Sequence, residues 1–135
     1  MKAKPTRRQI CLLGVVLSSA LASQAQPVVT NVAAGENDML LLKSDGSLWA
    51  MGANTYGELG DGTNLAEAYP EQIVAGGVTA IAVGAYHSLF LKSNGSLWTM
   101  GYNNLGQLGD GTHNNANRPK QIMPSGVTAI AVNGS

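Results

Sequence analysis

Chemistry-bearing side chains in this 135-residue sequence gather at a string that occurs twice, Leu-Gly-Asp-Gly-Thr at residues 59–63 and 108–112. Asp61 and Asp110 could serve as acids or as oxygen ligands. A calcium loop needs several oxygen donors at alternating positions and a distal bidentate glutamate. The stretches DGTNLAEAY and DGTHNNANR do not supply that spacing. A turn explains the string better: aspartate accepts backbone N–H groups, and glycine takes angles closed to other residues. His87 offers a general base or a metal ligand, but no matching histidine, cysteine or acid cluster accompanies it. His113 sits in an asparagine-rich loop and is expected at the surface. The run GELGDG lacks the Lys-Ser/Thr ending and the following helix of a phosphate cradle. Ser47, Ser88 and Ser96 have no nucleophile elbow and no adjacent base. Trp49, Trp98, Met51 and Met100 could line a ligand surface, but such residues more often fill space between packed units. No catalytic, cofactor-binding or metal-binding residue is therefore assigned.

The elements that position these residues follow from a repeat. Residues 29–77 and 78–126 align without a gap, and 25 of the 49 positions are identical. That degree of identity makes the repeat the unit of the fold. Each unit reads as four short strands. VTAIAV (78–83) is apolar on both faces, as in a strand covered on both sides. HSLFLKS and GSLWTMG form a hairpin across Asn94-Gly95, as their counterparts do across Asp45-Gly46. Both dipeptides suit a two-residue type I′ turn. The Gly-rich loop with LGDGT comes next, then a fourth strand over 119–123, with Pro119 at its start, where no ladder donor is needed. Four strands per unit describe a β-propeller blade. A third unit opens with VTAIAV at 127–132.

The string IAVGAYHSLFLKSNGSLWTMGYNNLGQLGDGT (81–112) and its counterpart (32–63) resemble the regulator-of-chromosome-condensation repeat, including those of secreted bacterial-type propellers. The matching parts are G-x-x-H-S at 84–88, the D/N-G-S hairpin, G-x-N and G-Q-L-G-D-G-T. The resemblance implies a blade of a propeller that usually has seven, and a recurring histidine held by a structural hydrogen bond. Met51 and Met100 depart from the family's tryptophan before glycine, and Asp38 stands where the second unit has His87. The implied architecture is all-β: a partial β-propeller of two four-stranded blades (29–77 and 78–126) plus the first strand of a third (127–135). Two blades leave two apolar faces open. The chain reads as a fragment of a longer propeller; the alternative is a short protein whose copies associate through those faces into a ring.

Residues 1–25 read as an export signal: a cationic start, the apolar run ICLLGVVLSSALA, and small residues at Ser23 and Ala25. The run is too short to span a bilayer stably, so no membrane insertion is expected after cleavage. Cys11, the one cysteine, lies inside it. From Gln26 onward four basic residues (Lys43, Lys92, Arg118, Lys120) face eight acidic ones, a net of −4. Nucleic-acid binding has no electrostatic support. The expected function is a secreted or periplasmic, non-catalytic protein-interaction scaffold, with no cofactor and an unidentified protein partner. Binding would use loops 53–56, 64–69, 102–105 and 113–118, where the units differ most. The family name raises an alternative, guanine-nucleotide exchange on a small GTPase; a third is an extracellular hydrolase or lyase with its site in the central funnel. Export and acidity oppose the first, and the absence of convergent acids and bases in the sequence opposes the second.

Overall fold

The computed structural model describes residues 25–133; the export signal expected at residues 1–25 falls, apart from Ala25, outside them. Eight strands follow in order: β1 (Val29–Ala34), β2 (Asp38–Lys43), β3 (Leu48–Gly52), β4 (Glu67–Val74), β5 (Val78–Val83), β6 (His87–Lys92), β7 (Leu97–Gly101) and β8 (Ala116–Met123). They form two antiparallel sheets, β1-β2-β3-β4 and β5-β6-β7-β8. Each sheet is one sequence unit, hereafter blade 1 and blade 2.

The hairpins differ in detail from the two-residue turn expected. Gly46 N–H bonds the Lys43 carbonyl (2.9 Å), and Lys43 N–H bonds the Ser47 carbonyl (3.0 Å). The loop is thus three residues long, and only its glycine has positive φ (78°), Asp45 keeping an ordinary angle. The reason is local. Asp45 Oδ1 accepts both the backbone N–H (2.9 Å) and the Oγ–H (2.6 Å) of Ser47, which holds Asp45 outside the left-handed region. Blade 2 repeats this with Asn94, Gly95 and Ser96. In each blade the serine Oγ also accepts the tryptophan Nε1–H two residues on, at 2.9 Å.

The fourth strands begin earlier than expected. β8 starts at Ala116, so Pro119 lies inside it, and β4 likewise encloses Pro70. Both strands are at sheet edges, and the ladder breaks register beside each proline, between Thr99 and Gly101 and between Ala50 and Gly52. An irregular edge tolerates the missing donor. The third unit's opening, 127–132, forms no strand. Val127 N–H bonds the Gly95 carbonyl (3.1 Å) as Val78 N–H bonds the Gly46 carbonyl (3.0 Å). Among the described residues, however, the segment has no second strand to pair with.

The blades stack unlike face to unlike face. Leu40, Leu42, Leu48, Ala50 and Leu59 of blade 1 share one core with Val78, Ile81, Phe90 and Met100 of blade 2. By register, Leu40 and Ala50 lie on one face of blade 1, whereas Ile81, Phe90 and Trp98 lie on the opposite face of blade 2. Complete burial of a Leu or Phe side chain stabilises by about 1.5–3 kcal/mol, so this shared core dominates the fold. β5 is covered on its core side by Val78 and Ile81, but Thr79 is exposed; the two-sided cover expected of it is only partial.

Candidate functional site

Two corners frame one end of the blade pair. In blade 1 the buried Asn54 is the hub. Its Nδ2 donates to Asp61 Oδ1 (3.0 Å) and to the carbonyls of Thr63 (3.2 Å) and Leu65 (3.0 Å); its Oδ1 accepts the Leu59 N–H (3.1 Å). Asp61 in turn accepts the backbone N–H of Thr63 (2.7 Å) and its hydroxyl (2.8 Å). Asn103 rebuilds this network around Asp110 and Thr112 in blade 2. The two LGDGT strings are therefore hydrogen-bonded corners, and their aspartates are occupied in holding backbone. The asparagines sit in the G-x-N motif, and their invariance between the units was the signal for this role.

The corners differ in their electrical surroundings. Asp110 pairs with Lys120 (2.5 Å), and that bond, with those from Thr112, holds its carboxyl far below the usual carboxylate range. At the place of Lys120, blade 1 has Glu71. Asp61, Glu67 and Glu71 bring carboxylate oxygens within 4.8 Å of one another. Burial alone would raise the Asp61 carboxyl, but hydrogen bonds from Thr63 and Asn54 hold it lowered. Blade 2 also clasps the blade 1 corner: Gly62 N–H donates to the Asn117 carbonyl (2.7 Å), and Asn117 Nδ2 to the Gly62 carbonyl (3.2 Å). The expected loops 64–69 and 113–118 thus end in strand, their last three residues belonging to β4 and β8.

His87 and Asp38 occupy equivalent places, each folded over a glycine. A Cβ on Gly84 would strike the His87 ring, and one on Gly35 would strike Asp38 Oδ1, which is why both positions are glycine. The hydrogen bond expected of the His87 ring is not found among the described residues. Its backbone carbonyl accepts the Gly84 N–H (2.8 Å) instead, and burial lowers the imidazole pKa. Asp38 is also buried, and its Oδ2 has no hydrogen-bond partner. Burial, and then the Glu58 carboxylate, push its carboxyl up to about 7. Asp38 lines an open cavity of about 480 Å³ with Met39, Met51, Gly52 and Glu67. Met100 is wholly buried and Trp98 packs on the core, stacked on Phe90 at 6.1 Å. Met51 and Trp49 are only half-buried, the latter beneath Lys43 Nζ at 3.7 Å. His113 is exposed, as expected. Ser88 Oγ is buried without a partner.

Across the top of the blade junction lies a cluster that the sequence did not disclose. Tyr56, Tyr86 and Tyr102 meet with ring centroids 4.7 Å apart (Tyr56–Tyr102), 5.4 Å (Tyr56–Tyr86) and 6.3 Å (Tyr86–Tyr102). They come from three non-equivalent places in the repeat, so no alignment of units brings them together; the offset between blades does. Tyr86 is exposed, and a hydrogen bond to the Glu36 carboxylate raises its phenol pKa. The buried Glu58 accepts the Tyr56 backbone N–H (2.7 Å) beneath the cluster. The patch thus spans both blades and is bordered by acids.

Two family profiles described as Regulator of chromosome condensation (RCC1) repeat match the chain, one at residues 29–58 and 78–107, the other at 45–91 and 94–133. Among solved structures, human WBSCR16 is 28% identical with a TM-score of 0.63, over 71% of this chain and 26% of its own. Prp20p from Saccharomyces cerevisiae, reported with its binding to Gsp1p and histones, is 23% identical with a TM-score of 0.66, over 73% and 26%. Yeast RCC1 (Prp20) bound to Kap60 is 22% identical with a TM-score of 0.61, over 73% and 25%. The two yeast likenesses speak to the fold alone. This chain spans about a quarter of the length of each of these proteins. No curated protein sequence matches it.

Proposed function

The chain belongs to the RCC1 repeat family, and on that premise we propose that it is an exported, non-catalytic scaffold that binds another protein through one end of its paired blades. The observation that carries this reading is the tyrosine cluster of Tyr56, Tyr86 and Tyr102. Tyrosine is enriched at protein interfaces because it combines apolar area, little rotamer entropy and a polar tip. The exposed Glu36 beside it, and the net −4 of the body, suit a partner that presents lysine or arginine side chains. Rigid corners beneath the loops support the same role: the frame stays fixed while the loops vary. Gsp1p and histone binding belong to Prp20p; they support protein interaction as the class and do not name this chain's partner. Export rests on residues 1–25.

The test compares immobilised wild-type chain with a Tyr56→Ser/Tyr102→Ser variant against proteins of the compartment that the chain reaches. Wild type is expected to retain a defined basic protein, and the variant to lose it while keeping its circular-dichroism spectrum. Equal capture by both, or substrate turnover with no stable partner, contradicts the proposal.

A further inference from the structure

The tyrosine patch borders a recess that lies between the two blades. Its walls are the same loop of each blade, residues 34–36 and 83–85, and its volume is about 290 Å³. That suits one long side chain better than a drug-sized ligand. Both loops belong to this chain and meet at the internal junction. A Cβ on Gly35 would stand 2.6 Å from the Gly84 carbonyl oxygen and 2.8 Å from Val83 Cγ1. Bare glycine is what lets the two loops approach.

The two walls differ in charge. Glu36 stands where blade 2 has Ala85, so one wall carries a carboxylate and the other a methyl group. Glu36 is exposed, and the Tyr86 hydroxyl donates to its carboxylate. Ala34, Val83 and Ala85 give the recess its apolar surface. Its two glycine amides are not left to hold an anion: Gly35 N–H donates to the Asp38 carbonyl (2.9 Å) and Gly84 N–H to the His87 carbonyl (2.8 Å). The four basic side chains of the body are set elsewhere. Lys43 lies over Trp49, Lys92 over Trp98, Lys120 on Asp110, and Arg118 against Gly62. Among the described residues the one ion pair is Lys120–Asp110, so the Glu36 charge stands uncompensated.

We propose that this recess binds one arginine side chain of the partner protein, with the guanidinium on the Glu36 carboxylate and the Tyr86 ring, and the methylenes along Ala34, Val83 and Ala85. Resting on the scaffold reading above, this site names the group by which the partner is held. The charge selects a cation, and two features select arginine over lysine. An ionised carboxylate has room for several donors. With one lone pair given to Tyr86, it still accepts a guanidinium through two parallel N–H···O bonds, a match that an ammonium does not make. Tyr86 is also 40% exposed, and a planar, weakly hydrated guanidinium stacks on a tyrosine face more readily than an ammonium. Tyr56 packs edge-on against Tyr86, with centroids 5.4 Å apart and planes at 72°, which fixes the ring that the cation meets.

Titration of the isotope-labelled chain with Nα-acetyl-arginine amide, followed through backbone amide shifts, tests this without the partner. Saturable shifts are expected at Gly35, Glu36, Gly84 and Tyr86. Nα-acetyl-lysine amide should bind about fivefold more weakly, lacking the paired bonds. Glu36→Gln changes an exposed residue and is expected to fold; it should weaken arginine binding about tenfold, as the loss of a charge-assisted hydrogen bond does. Tyr86→Leu should weaken it about threefold through the lost ring. Shifts that do not saturate or that lie elsewhere overturn the proposal. So does binding that is indifferent to Glu36→Gln, or that lysine matches. In the capture experiment above, a Glu36→Gln chain that retains the partner in full removes the arginine site and leaves the scaffold reading standing. A wild type that captures nothing removes the scaffold reading, and the titration still decides on the arginine site by itself.

Discussion

Leu40 and Leu89 hold the same place in two units with 25 of 49 positions identical, yet Leu40 is fully buried and Leu89 only half-buried. The pair Val78 and Val29 differs in the same way, 4% against 48% exposed. The lesson is that a blade's letters set its own sheet and corner, whereas the burial of its faces is set by what stands beside it. Residues that act within a blade therefore behave alike in both units. Residues that act between blades do not.

That contrast can be broken by substitution. Leu40→Ala should destabilise by about 3–4 kcal/mol, in the range of fully buried leucines, and Leu89→Ala by about 1 kcal/mol, since half-exposed side chains lose less. Urea unfolding of the two variants measures the gap; equal costs would deny that the blades stack as described. The corner asparagines should show the opposite pattern. Asn54→Ala and Asn103→Ala each strand several backbone partners and should each cost about 2 kcal/mol, agreeing within about 1 kcal/mol despite their different neighbours.

A smaller effect separates Asp38 from His87. The folded chain keeps a proton on Asp38 up to about pH 7, whereas the unfolded chain releases it near its ordinary value of 3.8. At this group the folded state binds more protons across that window, so stability falls as pH rises from about 4 to 7. His87 runs the other way. Its pKa is lowered by burial, so the stability it contributes is present above the ordinary value of 6.5 and is lost as pH falls below it. Asp38→Asn should raise the melting temperature at pH 8 and leave it nearly unchanged at pH 4. The smallest effect concerns the acids around Asp61. Glu71→Lys gives blade 1 the Asp110–Lys120 pairing of blade 2 and should stabilise by about 0.5 kcal/mol at low salt, fading as salt is added.

The sequence made the repeat, the four strands and the corners legible, because these depend on contacts close along the chain. It misplaced what depends on geometry between strands. Asp45-Gly46 reads as a two-residue turn until the Ser47 hydroxyl is seen to hold Asp45. Pro119 marks a strand start until the edge irregularity admits it inside β8. The stretch 127–132 has strand composition, but a strand needs a partner, and among the described residues none is there. The tyrosine cluster was hidden for the same reason: Tyr56 and Tyr102 stand at different places in their units and meet only because one blade is rotated against the next.

Hydrogen exchange at β1 and β5 tests the account of the blade pair most directly. The two strands have equivalent sequence positions and equivalent ladders, and differ in that β5 buries Val78 and Ile81 in the shared core, whereas β1 reaches it only through Ala33 and leaves Val29 and Val32 exposed. In dilute solution the paired amides of Val78–Val83 should exchange far more slowly than those of Val29–Ala34. Equal protection of the two strands under those conditions would contradict the stacking of unlike faces on which the rest depends.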